Sequence, residues 1–362
     1  MAKPSKRAAR SSGKRHEHEG ARPINLALQG CGSHGACTWG VLDRLLEDGR
    51  VTFDGICGTS AGAMNAVLVA HGLMHGGHDA ARASLENFWG RVAKLGAMLN
   101  PVATHAGSNP LVNTGANPLL ATQQWMMESF TRTFSPYQFN PLNVNPLRDL
   151  LADCVDFDSL KRCEEVKLFL CATNVRSGKV CIFNNAVMSV DAVMASACLP
   201  HMFQAVEIDG EHYWDGGYMG NPVLYPLFYE TDTRDVVVVM VNQMWRDEVP
   251  ATSAEIEDRI SEISFNSSLL REMRAVEFVS RQLSEGWLKP EFANRMRHIL
   301  VHLIRADADM GKLAAASKIS TDWKFLTGLR DLGRASAGEW LQQNHAALGK
   351  RSTVDLRREF LD

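Results

Sequence analysis

Short unbroken apolar runs alternate along this chain with longer stretches in which apolar residues return every three to four positions, the patterns of buried strands and of helices with one buried face. Ile24-Asn25-Leu26-Ala27-Leu28 reads as the first strand, and a helix carrying Trp39, Leu42, Leu45 and Leu46 at helical spacing follows it. Thr52 to Cys57 reads as a short buried strand, followed by Ala63 to Leu73 as a helix. A second helical stretch runs from Asp79 to Lys94, with Ala80, Leu85, Phe88, Trp89 and Val92 as its apolar side. Asn145-Pro146 supplies an N-cap and a first-turn proline for a helix carrying Leu147, Leu150, Leu151, Cys154 and Val155. Val166–Val175 and Lys179–Phe183 read as strands, the second edge-like. Ala205–Ile208 and Glu211–Trp214 read as a hairpin turned by Asp209-Gly210. Val236–Val241 is apolar throughout and reads as a central strand. Thr252-Ser253-Ala254-Glu255 is a capping box opening a long helix, with Ile256, Ile260, Ile263, Leu270, Met273 and Leu283 expected on its buried side. Ile299–Ile304 reads as a late strand and Thr321–Gln342 as a terminal helix carrying Trp323, Phe325, Leu326, Leu329 and Trp340. Strands alternating with helices predict an α/β fold, a three-layer α/β/α sandwich around a mostly parallel central sheet.

Composition sets the boundaries. With 362 residues, 45% of them hydrophobic, the chain is long enough for one large core. Residues 1–23 carry seven Lys or Arg against Glu17 and Glu19, a charge of +5 that leaves −8 on the remainder. They have no apolar run, so they read as a disordered basic tail and not as a secretory signal. One folded domain is expected over 24–345, with 346–362 as a C-terminal tail. Within it, six prolines and seven asparagines crowd the stretch from Leu99 to Pro146, around Trp125, Met126, Met127, Phe130 and Phe134. Residues 95–146 are thus either an excursion packed on the core or a lid or acyl-chain groove. The longest apolar run, Val236–Val241, is far too short to cross a bilayer. The eight cysteines show no C-x-x-C pair and no metal-ligand spacing, which reads as reduced thiols in a cytoplasm and no metal site.

Gly58-Thr59-Ser60-Ala61-Gly62 lies between a strand-like and a helix-like segment. That context suits a nucleophile elbow, in which a sharp turn exposes a serine hydroxyl at a helix N-terminus. The same five residues would also serve as a glycine-rich turn with Ser60 as an N-cap. Upstream, Gly30-Cys31-Gly32-Ser33-His34-Gly35 joins the first strand to its helix and presents a row of backbone N–H groups to an anion. A dinucleotide would need an acidic residue at the end of the second strand. Asp54 precedes Gly55-Ile56-Cys57 and sits too early. An oxyanion loop facing a serine elbow across consecutive strand–helix units fits the pattern better. Asp215 closes the strand returning from the hairpin, with Gly216 and Gly217 after it, and has no turn duty of its own.

Taken together, these segments resemble the patatin-like phospholipases. The glycine loop, the serine pentapeptide, the Ala195-Ser196-x-x-x-Pro200 segment and Asp215-Gly216-Gly217 follow the family's order from residue 24 to about 225. The resemblance implies a Ser–Asp dyad: Ser60 as nucleophile, Asp215 as general base, and Gly30, Cys31 and Gly32 as the oxyanion hole. Gly35, Gly58, Gly62, Gly216 and Gly217 support the motifs. Two positions depart from the family pattern. Cys31 stands where the loop usually has glycine, and His34 stands where it usually has Lys or Arg.

A Ser–His–Asp triad is the mechanistic competitor, with His298, His302 and His345 as the histidines that follow Asp215. His298 and His302 flank or lie in an apolar strand, where core packing is the expected role. The expected activity is carboxylic ester hydrolysis on phospholipid or neutral lipid, in the cytoplasm and in peripheral contact with a lipid surface. Short acyl esters or an aliphatic polyester are alternative substrates. No metal or organic cofactor and no nucleic-acid partner is expected. The rival from another class is a non-catalytic lipid- or nucleotide-binding protein that keeps the glycine loop.

Overall fold

The computed structural model describes residues 20–99, 133–287, 297–311, 313 and 315–362. Trp125, Met126, Met127 and Phe130 of the expected lid lie outside the described residues, as does most of the basic tail. Among the described residues eight strands form one sheet: β1 (Arg22–Leu28), β2 (Val51–Gly58), β3 (Lys167–Asn174), β4 (Val180–Asn184), β5 (Val206–Ile208), β6 (Glu211–Asp215), β7 (Asp235–Met240) and β8 (Leu300–Arg305). Five of them, β3-β2-β1-β7-β8, are parallel neighbours. The others pair antiparallel: β4 and β6 with β3, and β5 with β6.

The principal helices are α1 (Gly35–Asp48), α2 (Ala61–Leu99, bent at Gly76 and Gly77), α3 (Pro146–Cys154), α4 (Val190–Ser196), α5 (Tyr225–Glu230), α6 (Ser253–Ser284), α7 (Trp323–Asn344) and α8 (Leu356–Phe360). They cover both faces of the sheet, which is why Val236–Val241 is apolar without alternation. Val237, Val239 and Val241 join the core under α1, α2 and α7, while Val236, Val238 and Met240 join the core under α5, α6 and α8. The three-layer α/β sandwich expected from the sequence is the fold observed.

Three expectations change. Ile256, Ile260 and Ile263 of α6 are exposed, not buried. The first turns of α6 are held instead by ion pairs of Asp258 and Glu262 with Arg246 and Lys318. The inward stripe is Glu262, Asn266, Leu269, Met273 and Val276. It begins with polar residues, so an apolar count places it wrongly. His298 is exposed, whereas His302 is buried as expected, bonded to Thr353 and Asp235. Residues 346–362, set apart above as a tail, pack on the molecule. Leu348, Leu356 and Phe360 are buried, and Thr353 N–H donates to Val301 O beside β8.

Candidate active site

β1 and β2 run side by side and end in register, Leu28 opposite Gly58. The segments that follow, Gly30–Gly35 and Thr59–Gly62, therefore leave from adjacent points on the carboxyl edge. A side chain at Gly30 would bring its Cβ to 2.4 Å from Thr59 O and 2.6 Å from Ser60 Cβ, so only glycine permits this approach. Ser60 takes the left-handed backbone of an elbow, φ 55°, and its N–H donates to Ser196 Oγ at 3.0 Å. Thr59 Oγ1 anchors the turn to Gly220 O at 2.7 Å. Gly58 and Gly62 pack on one another across the turn, and Gly35 meets Ala61 at the start of α1.

Asp215 reaches the elbow through the sheet. β4 occupies one edge of β3, so β2 and β6 must share the other, β2 over Lys167–Leu170 and β6 over Ala172–Asn174. β2 runs parallel to β3 and β6 antiparallel, so their carboxyl ends meet head to head. Gly58 pairs with Leu170 and Asp215 with Ala172.

Asp215 is fully buried and its main chain is held on both sides, N–H to Cys198 O and C=O from Thr173 Oγ1, each at 2.8 Å. Its Oδ1 accepts from Gly217 N–H at 2.7 Å. Oδ2 is buried without a hydrogen-bond partner among the described residues. Burial pushes the carboxyl up to about 7, with the Gly217 N–H and the adjacent Ser60 hydroxyl opposing that rise. The hydroxyl is thus near enough to favour ionisation but completes no hydrogen bond to the carboxyl in this conformation.

The glycine loop departs from expectation at one residue. Gly30 N–H is already spent, donating to Asn221 Oδ1 at 2.7 Å, so Gly30 leaves the set of oxyanion donors. The N–H groups of Cys31 and Gly32 have no acceptor among the described residues. Cys31 replaces glycine without strain because its φ of −161° is extended backbone open to any residue. Gly32 is different. Its φ is +54°, and a Cβ there would sit 2.2 Å from Lys318 O.

Burial raises the Cys31 thiol to about 11, so it is neutral and not a competing nucleophile. His34 is also uncharged near neutrality, lowered to about 4 by burial and by Lys318. Its Nε2 bonds Ser317 Oγ at 2.8 Å. The positive charge beside the loop belongs to Lys318, whose ammonium pairs with Asp258 at 2.6 Å.

Ser60, Asp215 and the loop form the polar end of a cavity of about 310 Å³. Its walls are apolar, with Met64, Phe88, Trp89, Leu199, Met202 and Phe265 among them. Phe88 and Trp89 read in the sequence as helix core; here they are also cavity wall. No histidine is among the described residues lining it. Among the described residues no group of three His, Cys, Asp or Glu is arranged to hold a metal.

A family model of the patatin-like phospholipases matches residues 26–227, more than half of the chain. The chain belongs to the patatin-like phospholipase family. Lipid acyl hydrolysis is the chemistry that membership supports. In patatin-like terms, the matched region runs from β1 through α5 and holds every motif residue named above. No curated protein is similar enough in sequence to match. Among solved structures, VipD from Legionella pneumophila is 13% identical with a TM-score of 0.42, covering 93% of this chain and 72% of that one. ExoU from the type III secretion system of Pseudomonas aeruginosa, solved with SpcU, is 14% identical with a TM-score of 0.38. That alignment covers 89% of this chain and 52% of ExoU, so the chain spans about half of ExoU's length.

Proposed function

We propose that this chain hydrolyses long-chain lipid acyl esters through an acyl-enzyme, with Ser60 as nucleophile and Asp215 as its base. The observation that carries the reading is the buried, unpartnered Asp215 Oδ2 beside an elbow serine at the polar end of an apolar cavity. A carboxyl with a pKa of about 7 is half ionised at neutral pH and can both take and return a proton there. Ser60 Oγ attacks the ester carbonyl while its proton passes to Asp215. The carbonyl electron pair moves onto oxygen, facing the N–H groups of Cys31 and Gly32. Collapse expels the alcohol, which takes the proton from Asp215. Water then releases the fatty acid by the same steps.

Three features favour the dyad over a triad. His302 has both ring nitrogens engaged, His34 is bonded to Ser317, and His345 lies at Arg50 O. The apolar walls favour acyl chains, each buried methylene contributing about 0.8 kcal/mol. A fluorophosphonate probe tests the proposal: wild type should acquire one adduct, mapped to Ser60, and Ser60→Ala none. Absence of labelling on folded wild type would return the chain to a binding role.

A further inference from the structure

Gly30 lost its place as a donor because Asn221 holds it, and that grip has a consequence for the next residue. Asn221 closes on Gly30 from both sides of its amide: Oδ1 accepts Gly30 N–H at 2.7 Å, and Nδ2 donates to Gly30 O at 3.1 Å. Asn242 Nδ2 donates to the same carbonyl at 3.0 Å. Because Gly30 N–H can meet only an oxygen, the orientation of the Asn221 amide is fixed by chemistry.

The Gly30 carbonyl and the Cys31 N–H belong to one peptide unit, and in a trans peptide the two dipoles point in opposite directions. Two amides pulling on the carbonyl from one side therefore aim the Cys31 N–H to the other. That N–H has no acceptor among the described residues, and Cys31 lines the cavity beside Ser60.

The grip is itself anchored. Asn221 N–H donates to Ser268 Oγ at 3.0 Å, and its carbonyl accepts from Gln29 Nε2 at 3.3 Å. Gln29 Oε1 in turn accepts from Val241 N at 2.9 Å and Asn242 N at 3.0 Å. Gln29, Asn221, Asn242, Asn266 and Ser268 are all buried. Buried amides are costly unless bonded, and a satisfied network fixes one geometry.

We infer that Asn221 and Asn242 are positioning residues for the oxyanion hole: they lock the Gly30–Cys31 peptide so that the Cys31 N–H meets the developing oxyanion. The inference rests on Ser60 being the nucleophile, and its test is separable from that premise. Trifluoromethyl ketones report on the hole directly. Ser60 Oγ adds to the ketone carbon, the carbonyl pair becomes an oxyanion, and the hydroxyl proton goes to Asp215. The matching methyl ketone binds the same cavity without forming appreciable adduct.

Asn242→Ala removes one donor at a side chain that already lines the cavity. Asn221→Asp keeps the acceptor for Gly30 N–H but removes the donor to Gly30 O. Each folded variant should lose about 10- to 100-fold in kcat, with KM within about threefold of wild type. The affinity ratio of trifluoromethyl ketone to methyl ketone should fall by a similar factor. If Asn221→Asp does not fold, Asn242→Ala decides alone. An unchanged ratio in a folded variant, equal losses for both ketones, or failure of both variants to fold overturns the inference. Failure of the Ser60 reading gives a different result, since wild type would then take up no fluorophosphonate.

Discussion

At the residue scale, the proposed chemistry depends on two side chains held in conditions that folding alone would not choose. Ser60 sits at φ 55°, where a non-glycine residue stores roughly 1–3 kcal/mol. Ser60→Ala should abolish turnover and keep that strain, whereas Ser60→Gly should be equally inactive but more stable than the alanine variant by about 1 kcal/mol; paired denaturant melts would measure it. Asp215 is costly in another way. Burial raises its pKa from 3.8 to about 7, so the folded state holds a proton that the unfolded chain releases. Stability from this group is complete below the unfolded pKa and is lost as pH rises through about 7. Asp215→Asn cannot ionise, so its stability advantage over wild type should grow across that window and reach roughly a few kcal/mol above it. Its turnover should fall by about 10³-fold, the scale of what one positioned general base contributes. In wild type, kcat/KM should rise with pH through about 7. Glu272, also raised to about 7 by burial, titrates nearby, and a limb that survives in Glu272→Gln belongs to Asp215.

The elements differ in how much sequence change they tolerate, and the loop shows why. Cys31 has an ordinary extended φ, while Gly32 is left-handed and pressed on Lys318 O. Cys31→Gly should therefore leave kcat within about threefold, and Gly32→Ala should reduce it by about 10²-fold, the scale of losing one oxyanion donor. Initial rates on one ester substrate separate the two. Helix α6 gives the opposite lesson about apolar residues. Ile260 is 61% exposed, so Ile260→Ser should change stability by less than about 0.5 kcal/mol, whereas Met273→Ser, at a fully buried position, should cost about 2–5 kcal/mol. If the isoleucine proved as costly as the methionine, the observed register of α6 would be wrong.

At the scale of the whole molecule, the C-terminal segment closes the sheet that carries the site. Asp235 Oδ1 accepts from His302 Nε2 at 3.0 Å and from Gly349 N–H at 2.8 Å, and Ser352 Oγ accepts from Val301 N–H at 3.0 Å. Leu356 and Phe360 complete the core on the α6 face. Truncation after Gly349 removes Ser352, Leu356 and Phe360, uncovers the core they pack on, and should destabilise the protein by several kcal/mol, at about 1.5–3 kcal/mol for each large buried side chain lost. Thermal melts would register the loss, and Ser60 labelling should fade at the lowered melting temperature. A truncated protein that melts like wild type would show that the segment contributes nothing to the sheet.

The sequence by itself determined the order of elements and the parallel sheet, and it singled out the serine, the aspartate and the loop of the candidate site. Each of these is written in local signals: alternation, helical spacing, an Asp-Gly turn, glycines around a serine. Only the tertiary structure decided which loop amides remain free. Gly30 and Cys31 look alike in a glycine-rich string, and a contact with Asn221, 191 positions away, removes one and aims the other. The same holds for the meeting of Ser60 with Asp215, made by β2 and β6 sharing an edge of β3, and for the neutral His34 beside Lys318. Burial and long-range pairing carry no local pattern. They exist only once the strands have chosen their neighbours.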